Sequence, residues 1–313
     1  MTTTIPILDF RRFAGDRDAF ARDLGGAWTS IGFVGVREHG VETAVIDDAY
    51  AAVKALFELP LEDRLRYASA GDRDRGYIPF GVEHARDSAA VDLKEFWQVG
   101  RELAPESPHR GLYPANVWPA ELPEFRPRLL ALYAALEGLG DALLRAIAVY
   151  LDLPEDWFED KVDHGNSVLR PIHYPPIAGE PRGVRSASHE DINFITLLVV
   201  SGEPGLQVLT RQGEWIAAPQ EPGTILVNVG DMLQRYTNHV LRSTTHRVVN
   251  PPAPFSHRSR FSMPFFLHPN PELLLETLPT CVGEGRPDRY PVPISADAFL
   301  GERLREIGLR PAT

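Results

Sequence analysis

The spacing of apolar positions divides the chain into a largely helical first part, a strand-rich middle and a helical end. Apolar residues recur at steps of three and four from 124 to 151, which predicts one long amphipathic helix that ends near Pro154. The same periodicity predicts helices over 16–30 and 43–59. The apolar stretch IPILDF precedes the helix predicted at 16–30, and IGFVGV follows it; both predict short strands.

The pattern changes between residues 167 and 267, where short apolar runs are separated by Gly, Pro and Asn. These runs are VLRPIHY, NFITLLVV, LQVLT, EWIAA, TILVNVG, HRVVN and SRFSMPFFL. Short strands at this spacing are typical of a β-sandwich or a β-barrel. The helical period returns in ADAFLGERLREIGL, and the Gly-rich segment 69–81 predicts a loop over a pocket.

The composition narrows the classes of function. With 43% hydrophobic residues among 313, the chain can bury a full core. The net charge of -11 argues against a nucleic-acid surface, because phosphate binding needs clustered Lys and Arg. The single Cys281 excludes an internal disulfide and a cysteine-based metal cluster. We see neither a secretory signal pattern nor an apolar run of about 18 residues, so we expect a cytoplasmic protein without membrane contact.

A candidate metal site lies in the segment ASHEDINFI. His189 and Asp191 are two residues apart, and on a strand this spacing places both side chains on one face and Glu190 on the other. An imidazole and a carboxylate that converge in this way are two of the three ligands in a 2-His-1-carboxylate site for Fe(II). The alternative is an ordinary strand edge near a turn.

The third ligand of such a site has to be a second histidine, and two are candidates. His246 begins an apolar run after a polar stretch, where an inward side chain fits the role of a ligand. His239 lies seven residues earlier, and an odd spacing on one unbroken strand puts the two on opposite faces. The intervening LRST allows a break in that parity, so periodicity leaves both histidines open.

An arginine in the last apolar run is a candidate for binding an anion. Arg260 and Ser262 share one strand face, and Phe261 and Met263 share the other. A buried Arg without a partner is costly. A carboxylate ligand offsets that cost, because guanidinium binds carboxylate in a bidentate manner. The alternatives are an internal Asp or Glu partner and a position that faces solvent.

The complete pattern consists of His189-x-Asp191, His246 and Arg260-x-Ser262. It resembles the iron- and 2-oxoglutarate-dependent oxygenases, specifically the isopenicillin N synthase-like branch. The segments IPILDF, GFVGVREHGV, LRPIHYPP and PGTILVNVGDML resemble further parts of that branch, so the likeness extends over 5–267. The resemblance selects His246 over His239 as the third ligand.

This resemblance implies an α+β fold in which a double-stranded β-helix, or jelly roll, is flanked by N-terminal and C-terminal helices. We expect one compact unit in four parts. They are an N-terminal region of helices and strands (1–120), long linking helices (121–165), the jelly-roll core (166–270) and a C-terminal helical tail (271–313).

The resemblance also implies a role for each residue of the pattern. The ligands of Fe(II) would be His189, Asp191 and His246. The residues at the distal carboxylate of 2-oxoglutarate would be Arg260, Ser262 and Tyr174. The implied reaction consumes O2 and 2-oxoglutarate and releases succinate and CO2. A small-molecule substrate is oxidised by hydroxylation, desaturation or ring closure.

Alternation along LRPIHY predicts which side chains share the face of Tyr174. Arg170 and Ile172 do so, and His173 points away. Many plant members of the branch carry Asn where Ile172 stands, which puts a polar contact to the cosubstrate in doubt. Arg170 is a candidate anchor for an acidic group of the substrate, or else the partner of a nearby Asp or Glu.

Three more residues are candidates for the substrate site. Asn228 either contacts the pocket or makes a hydrogen bond at a turn. Tyr77 and Phe80 are candidates for a lid, although packed loop aromatics are the simpler interpretation. Asp231, which follows NVG, is interpreted as a turn residue and not as a ligand.

Other classes of protein use the same residue types. A related oxidase of this fold takes all electrons from its substrate and uses no 2-oxoglutarate. A non-catalytic jelly-roll binding protein is disfavoured, because all three ligand types and the Arg-x-Ser pair are present. A zinc hydrolase with the same three ligands is also disfavoured, because it has no use for a buried Arg.

Overall fold

The computed structural model describes residues 4–68, 75–82, 91–177, 179, 181, 183–200 and 202–306. Eight α-helices lie within this part of the chain: α1 Arg12–Gly15, α2 Arg17–Ser30, α3 Thr43–Glu58, α4 Leu61–Leu65, α5 Phe125–Tyr150, α6 Glu159–Val162, α7 Asp231–Tyr236 and α8 Ala296–Glu306. Two short 3-10 helices cover Phe255–His257 and Pro279–Cys281. The three helices predicted in the first half are therefore confirmed as α2, α3 and α5.

The same residues contain fourteen strands: β1 Ile7–Asp9, β2 Phe33–Arg37, β3 Gly76–Ile78, β4 Glu95–Gly100, β5 Val168–Leu169, β6 Ile172–Tyr174, β7 Ser186–His189, β8 Ile195–Val199, β9 Leu206–Leu209, β10 Trp215–Ala217, β11 Ile225–Val229, β12 His246–Val248, β13 Arg260–Ser262 and β14 Pro264–Leu267. The larger sheet has the order β1-β2-β11-β8-β14-β5-β4-β6-β13, and β3 pairs with β4. The smaller sheet has the order β10-β9-β12-β7. β1 and β2 are parallel, and the other pairs among these strands are antiparallel.

The two sheets face each other across a small apolar layer. Phe33 and Leu226 of the larger sheet pack in one cluster with Val208 and Val248 of the smaller sheet. Alternation along each strand directs these side chains inward. The core of the molecule is therefore sheet-rich, and the candidate site lies in the space between the sheets.

The outer face of the larger sheet is covered by helices, and α5 lies at the centre of this layer. A glycine allows α5 to lie close to the sheet, because a Cβ atom at Gly140 would lie 2.4 Å from Leu267 Cδ1. Another allows the contact between α2 and α5, because a Cβ atom at Gly25 would lie 2.2 Å from Tyr150 Cγ. Burial of the outer face leaves the space between the sheets for the site.

Two predicted strands are each divided in the structure. The run VLRPIHY becomes β5 and β6, which are separated at Arg170 and Pro171 because proline has no N–H to donate to a sheet. The run SRFSMPFFL becomes β13 and β14, which are separated at Met263. β13 then pairs with β6, and β14 pairs with β5 and β8.

The segment predicted as a loop over 69–81 contains a strand. Residues 76–78 form β3 and pair with β4, and residues 69–74 lie outside the described residues. The loop prediction was therefore wrong for Gly76–Ile78. None of the helices in the described part of the chain has the length and apolar character that crossing a bilayer requires.

Candidate active site

Three side chains converge between the sheets. The ligand atoms of His189, Asp191 and His246 all lie within 4.8 Å of one another. Asp191 Oδ1 is 3.9 Å from His189 Nε2 and 3.8 Å from His246 Nε2. The two histidines are direct partners across the antiparallel pair of β7 and β12. The described residues contain no other group of this kind.

The sequence pattern suggested that Asp191 shares a strand face with His189, but Asp191 does not lie on that strand. β7 ends at His189, so Asp191 lies in the turn that follows and not on the strand. Its backbone carbonyl accepts a hydrogen bond of 2.7 Å from the N–H of Asp231 at the start of α7. Asp231 thus fixes the turn and is not one of the three converging side chains. Glu190 is exposed and accepts a hydrogen bond from Thr245 Oγ1.

Each histidine presents the same nitrogen to the centre of the site. His189 Nδ1 lies 2.8 Å from the carbonyl of Ala187, and His246 Nδ1 lies 3.1 Å from the carbonyl of Thr244. A carbonyl accepts only from an N–H, so both rings carry the proton on Nδ1. Nε2 of each ring is left as an electron-pair donor, which is the form that binds a metal.

The carboxylate of Asp191 is held through one of its oxygens. Oδ2 accepts hydrogen bonds from Thr196 Oγ1 at 2.7 Å and from Asn228 Nδ2 at 2.8 Å. Thr196 and Asn228 are direct partners on β8 and β11. Oδ1 is the oxygen that faces the two histidines. Asn228 therefore lines the site, as the sequence suggested, and its hydrogen bond goes to the carboxylate.

The electrostatics favour a neutral His189 and an ionised Asp191. Burial and the nearby His246 lower the pKa of His189 to about 4. Burial alone raises the pKa of Asp191, but the two histidines and the hydrogen bonds from Asn228 and Thr196 outweigh it, so this pKa lies below its usual value. These are the protonation states that metal binding requires.

The rival histidine lies elsewhere. His239 follows α7, stacks on the ring of Tyr290 at 5.7 Å and makes a hydrogen bond of 2.5 Å with its hydroxyl. The structure therefore brings His246 to the site and leaves His239 outside it. His173 also points away, as predicted: its ring contacts Glu95 at 2.7 Å and Ser259 at 2.9 Å.

The predicted anion site lies at one end of the same space. Arg260 and Ser262 on β13 are opposite Tyr174 and Ile172 on β6. The guanidinium carbon of Arg260 lies 4.9 Å from the ring centre of Tyr174. Arg260 is 4% exposed, and its Nε and Nη1 are buried without a hydrogen-bond partner. Among the described residues Arg260 has no acidic ion-pair partner, and its side chain does not face solvent, so neither alternative interpretation holds there.

One cavity of about 180 Å³, here called the metal cavity, connects these groups. Its walls include the three converging side chains, Arg260, Ser262, Tyr174, Ile172, Arg170 and Asn228. The predicted common face of Arg170, Ile172 and Tyr174 is therefore confirmed. The guanidinium of Arg170 lies between the rings of Phe96 and Phe266, at 4.7 and 4.9 Å, and donates to Gln98.

The two lid candidates lie away from the metal cavity. Tyr77 is fully buried on β3, near the ring of Trp97, and its hydroxyl donates to Glu95. Phe80 is 48% exposed and is not part of the cavity wall. The assignment of Tyr77 and Phe80 to the substrate site was therefore wrong for this structure, because pairing with β4 directs Tyr77 into the core.

Several residues of the cavity were missed by the sequence analysis. They are Thr196, Lys94, His268, Leu300 and Leu304. The alternation that starts at Arg260 would have found His268 if it had been extended along the last apolar run. The side chains that line the cavity at steps of two are Arg260, Ser262, Pro264, Phe266 and His268. Lys94 on the approach to β4 and the two leucines of α8 carry no comparable signal.

Comparisons with known proteins agree with this geometry. Residues 5–121 match the family model described as non-haem dioxygenase in morphine synthesis N-terminal, and residues 165–269 match that of the 2OG-Fe(II) oxygenase superfamily. A 2-oxoglutarate-Fe(II) type oxidoreductase of Metarhizium rileyi is 34% identical, over 93% of this chain and 84% of the relative.

Solved structures of 2-oxoglutarate-Fe(II) oxygenases are also similar to this chain. A 2OG-Fe(II) oxygenase family protein from Caulobacter crescentus is 46% identical, with a TM-score of 0.91 over 98% of this chain and 100% of the other. A Neurospora crassa protein in complex with alpha-KG and thymine is 30% identical, with a TM-score of 0.85 over 96% of both chains. The chain belongs to the 2OG-Fe(II) oxygenase superfamily. Its class of activity is that of a non-haem iron, 2-oxoglutarate-dependent dioxygenase.

Proposed function

We propose that the chain holds Fe(II) through His189, Asp191 and His246, holds 2-oxoglutarate through Arg260 and Ser262, and oxidises a small-molecule substrate. One observation supports this assignment above the others. A three-ligand cluster and a buried arginine with unpaired N–H groups open into the same cavity.

The donor set fits Fe(II). Two neutral imidazoles and one carboxylate form the 2-His-1-carboxylate set, which leaves coordination positions open for other ligands. Nδ1–H of both histidines donates to a backbone carbonyl, and Oδ2 of Asp191 accepts hydrogen bonds, which leaves one electron-pair donor atom of each residue for the metal. Such outer hydrogen bonds orient ligands and raise their basicity.

The other end of the cavity fits a carboxylate. Nε and Nη1 of Arg260 are buried and unpaired, which is costly unless an anion occupies the space in front of them. Ser262, two residues along the same strand, adds a hydroxyl on the same face. The Tyr174 ring beneath the guanidinium limits the directions in which Arg260 can turn.

Fe(II) in such a site supplies activation of O2, coupled to conversion of 2-oxoglutarate to succinate and CO2, for oxidation of a substrate C–H bond. The protein itself positions and shields the reactants. Thr196 and Asn228 keep the Asp191 carboxylate in one orientation. Arg260 fixes one end of the cosubstrate, so that its other end is directed along the cavity towards the histidines. Apolar walls such as Leu198 and Leu226 exclude water.

We infer that the sheet-rich core is a double-stranded β-helix. Two facing sheets of mainly antiparallel strands, with the site between them, support this interpretation. The proposed core at 166–270 contains β5–β14, and β1–β4 join its larger sheet from the region proposed at 1–120.

The substrate is proposed to be a small molecule with an acidic group. A thymine complex of the Neurospora crassa relative supports the small size. Arg170 supports the acidic group, because its guanidinium is held flat between two aromatic rings in the cavity wall. Arg170 lies in the break between β5 and β6, four residues before Tyr174, and both side chains line the metal cavity.

Anaerobic absorption spectroscopy tests the proposed function. Adding 2-oxoglutarate to the Fe(II) protein should produce a weak metal-to-ligand charge-transfer band in the visible range. Arg260→Met should shift the titration to higher 2-oxoglutarate concentration. If an intact Fe(II) site gives no band at any concentration, the chain does not bind 2-oxoglutarate at the metal, and the oxidase alternative takes its place. Stoichiometric zinc with retained activity would contradict the iron assignment.

A further inference from the structure

A second cavity of about 590 Å³ adjoins the metal cavity. The two cavities share two wall residues, His268 and Leu300. His268 follows β14, and Leu300 lies on α8, so the junction is formed between the larger sheet and the C-terminal helix. A ligand in the metal cavity that extends past this pair enters the second cavity.

The volume of the metal cavity indicates that a substrate extends into the second cavity. Ligand sites usually have volumes of roughly 300–1,000 Å³. The metal cavity, at about 180 Å³, falls below that range, and the proposed 2-oxoglutarate site already takes the Arg260 end of it. Little space is left for a second molecule beside the metal ligands. The second cavity supplies the missing volume.

The junction carries a polar group that the protein does not satisfy. His268 is 9% exposed, and within the described part of the chain neither of its ring nitrogens makes a hydrogen bond; only its backbone N–H does, to Ser167 Oγ. Burial and the nearby Arg170 lower the pKa of this ring to about 4, so the ring is neutral at neutral pH. A neutral imidazole offers one N–H donor and one acceptor to a ligand.

The walls of the second cavity indicate what the distal part of the ligand is. They combine apolar side chains, Leu112, Met232 and Ala296 among them, with the polar side chains of Tyr113, Asn166 and Ser295. The charged groups there are the carboxylates of Glu272 and Asp297. An anionic group in this cavity would be repelled, whereas an uncharged group with both apolar and polar parts would be accommodated.

We propose that the second cavity is the distal half of the substrate site and that His268 hydrogen-bonds an uncharged amide, hydroxyl or carbonyl group of a substrate that spans both cavities. The proposal rests on the proposed function, because it places the oxidised end of that substrate at the metal. The substrate class is an elongated small molecule: an acid group near Arg170, a neutral polar group at His268 and an uncharged tail beyond Leu300.

The test uses a series of N-acyl amino acids, from acetyl to octanoyl, each compared with its carboxamide. Succinate formation by the full-length Fe(II) enzyme is measured with and without each compound. For the wild type, stimulation should rise with acyl length among the free acids. Leu300→Trp narrows the junction and should abolish that length dependence. Glu302→Trp, on the exposed face of the same helix, is the matched control and should retain it.

His268 is tested with the same compounds. His268→Leu removes both ring nitrogens and should raise the KM of the longer compounds by about tenfold, while His268→Asn should restore most of the affinity. Stimulation that is independent of acyl length, equal length dependence in Leu300→Trp, or no stimulation by any compound would overturn this inference. The proposed function stands even if this inference fails, provided that the wild type forms succinate without an added substrate. If the wild type neither forms succinate nor gives the charge-transfer band, the proposed function itself fails.

Discussion

Thr196 and Asn228 face each other across β8 and β11, and both donate to the same oxygen of Asp191. The pair acts as a two-point clamp on a buried carboxylate. It determines which oxygen faces the histidines, although neither residue belongs to the ligand set. The consequences for metal binding, cosubstrate binding and stability can each be tested.

The clamp should matter for metal affinity. Asn228→Ala and Thr196→Val each remove one hydrogen bond to Asp191 Oδ2 and should weaken Fe(II) binding by about 10- to 100-fold. Anaerobic titration of the metal-free protein measures this. Glu190→Ala is the control, because Glu190 is exposed and bonded to Thr245, and its Fe(II) affinity should stay close to that of the wild type. Equal losses in the control and in Asn228→Ala would show that the clamp has no specific role.

Arg260 should dominate the binding of 2-oxoglutarate. Arg260→Met removes the buried cation and should raise the KM for 2-oxoglutarate by about 100- to 1,000-fold, because a buried charge pair loses several kcal/mol when one partner is removed. Ser262→Ala removes a neutral donor and should cost only about two- to tenfold. Steady-state kinetics at saturating Fe(II) measure both values. An unchanged KM in Arg260→Met would place the cosubstrate elsewhere.

Tyr77 should be a structural residue. Its hydroxyl donates to Glu95, which also pairs with Arg64 and His173. Tyr77→Phe should lower the free energy of unfolding by about 1 kcal/mol and leave the KM of substrates unchanged. Denaturant unfolding together with kinetics separates the two effects. A changed substrate KM at unchanged stability would restore the lid assignment for Tyr77.

Glu95 should be a larger determinant of stability, because it is 5% exposed and bonded to Arg64, an arginine that is itself partly buried. Glu95→Ala leaves Arg64 without its carboxylate and should cost about 3–5 kcal/mol. The matched control is Glu121→Ala, which breaks an exposed pair with Arg66 and should produce a much smaller change. Similar losses in both variants would contradict the assignment.

The same carboxylate gives the stability a pH dependence. Burial alone raises the pKa of Glu95, but hydrogen bonds from His173 and Tyr77 and the charge of Arg64 outweigh it, so the folded-state pKa lies below 4.5. A carboxyl with a lowered pKa contributes stability above its unfolded-state pKa, and this contribution is lost as the pH falls through the folded-state value. Glu95→Gln should therefore flatten the decline in stability below about pH 4.5. An unchanged acid limb in urea unfolding would show that other groups control it.

Substitution by alanine at two adjacent glycines of α2 should change the stability of the protein in opposite directions. A Cβ atom at Gly25 would lie 2.2 Å from Tyr150 Cγ, whereas nothing lies within 4 Å of one at Gly26. Gly25→Ala should cost about 1–3 kcal/mol through overpacking against α5. Gly26→Ala should stabilise the protein by about 0.5–1 kcal/mol through helix propensity. Thermal unfolding of both variants measures this, and a stabilised Gly25→Ala would contradict the close packing of the two helices.

The sequence predicted the long helices, the strand-rich middle and the residues that converge on the site, because these depend on local periodicity and on a specific pattern of side chains. It did not predict that Asp191 lies beyond the end of β7, since the position of Asp191 depends on a backbone bond from Asp231. Tyr77 was misplaced because its burial depends on pairing with β4, a contact distant in sequence. Leu300 and Leu304 reach the cavity through the docking of α8, which no local pattern encodes.

The proposed activity is tested most directly by whether the purified Fe(II) protein converts 2-oxoglutarate to succinate. We expect O2-dependent succinate formation that is lost in Asp191→Ala and retained in Glu190→Ala. No succinate from the wild type with Fe(II) bound and any substrate supplied, or equal turnover by Asp191→Ala, would contradict it.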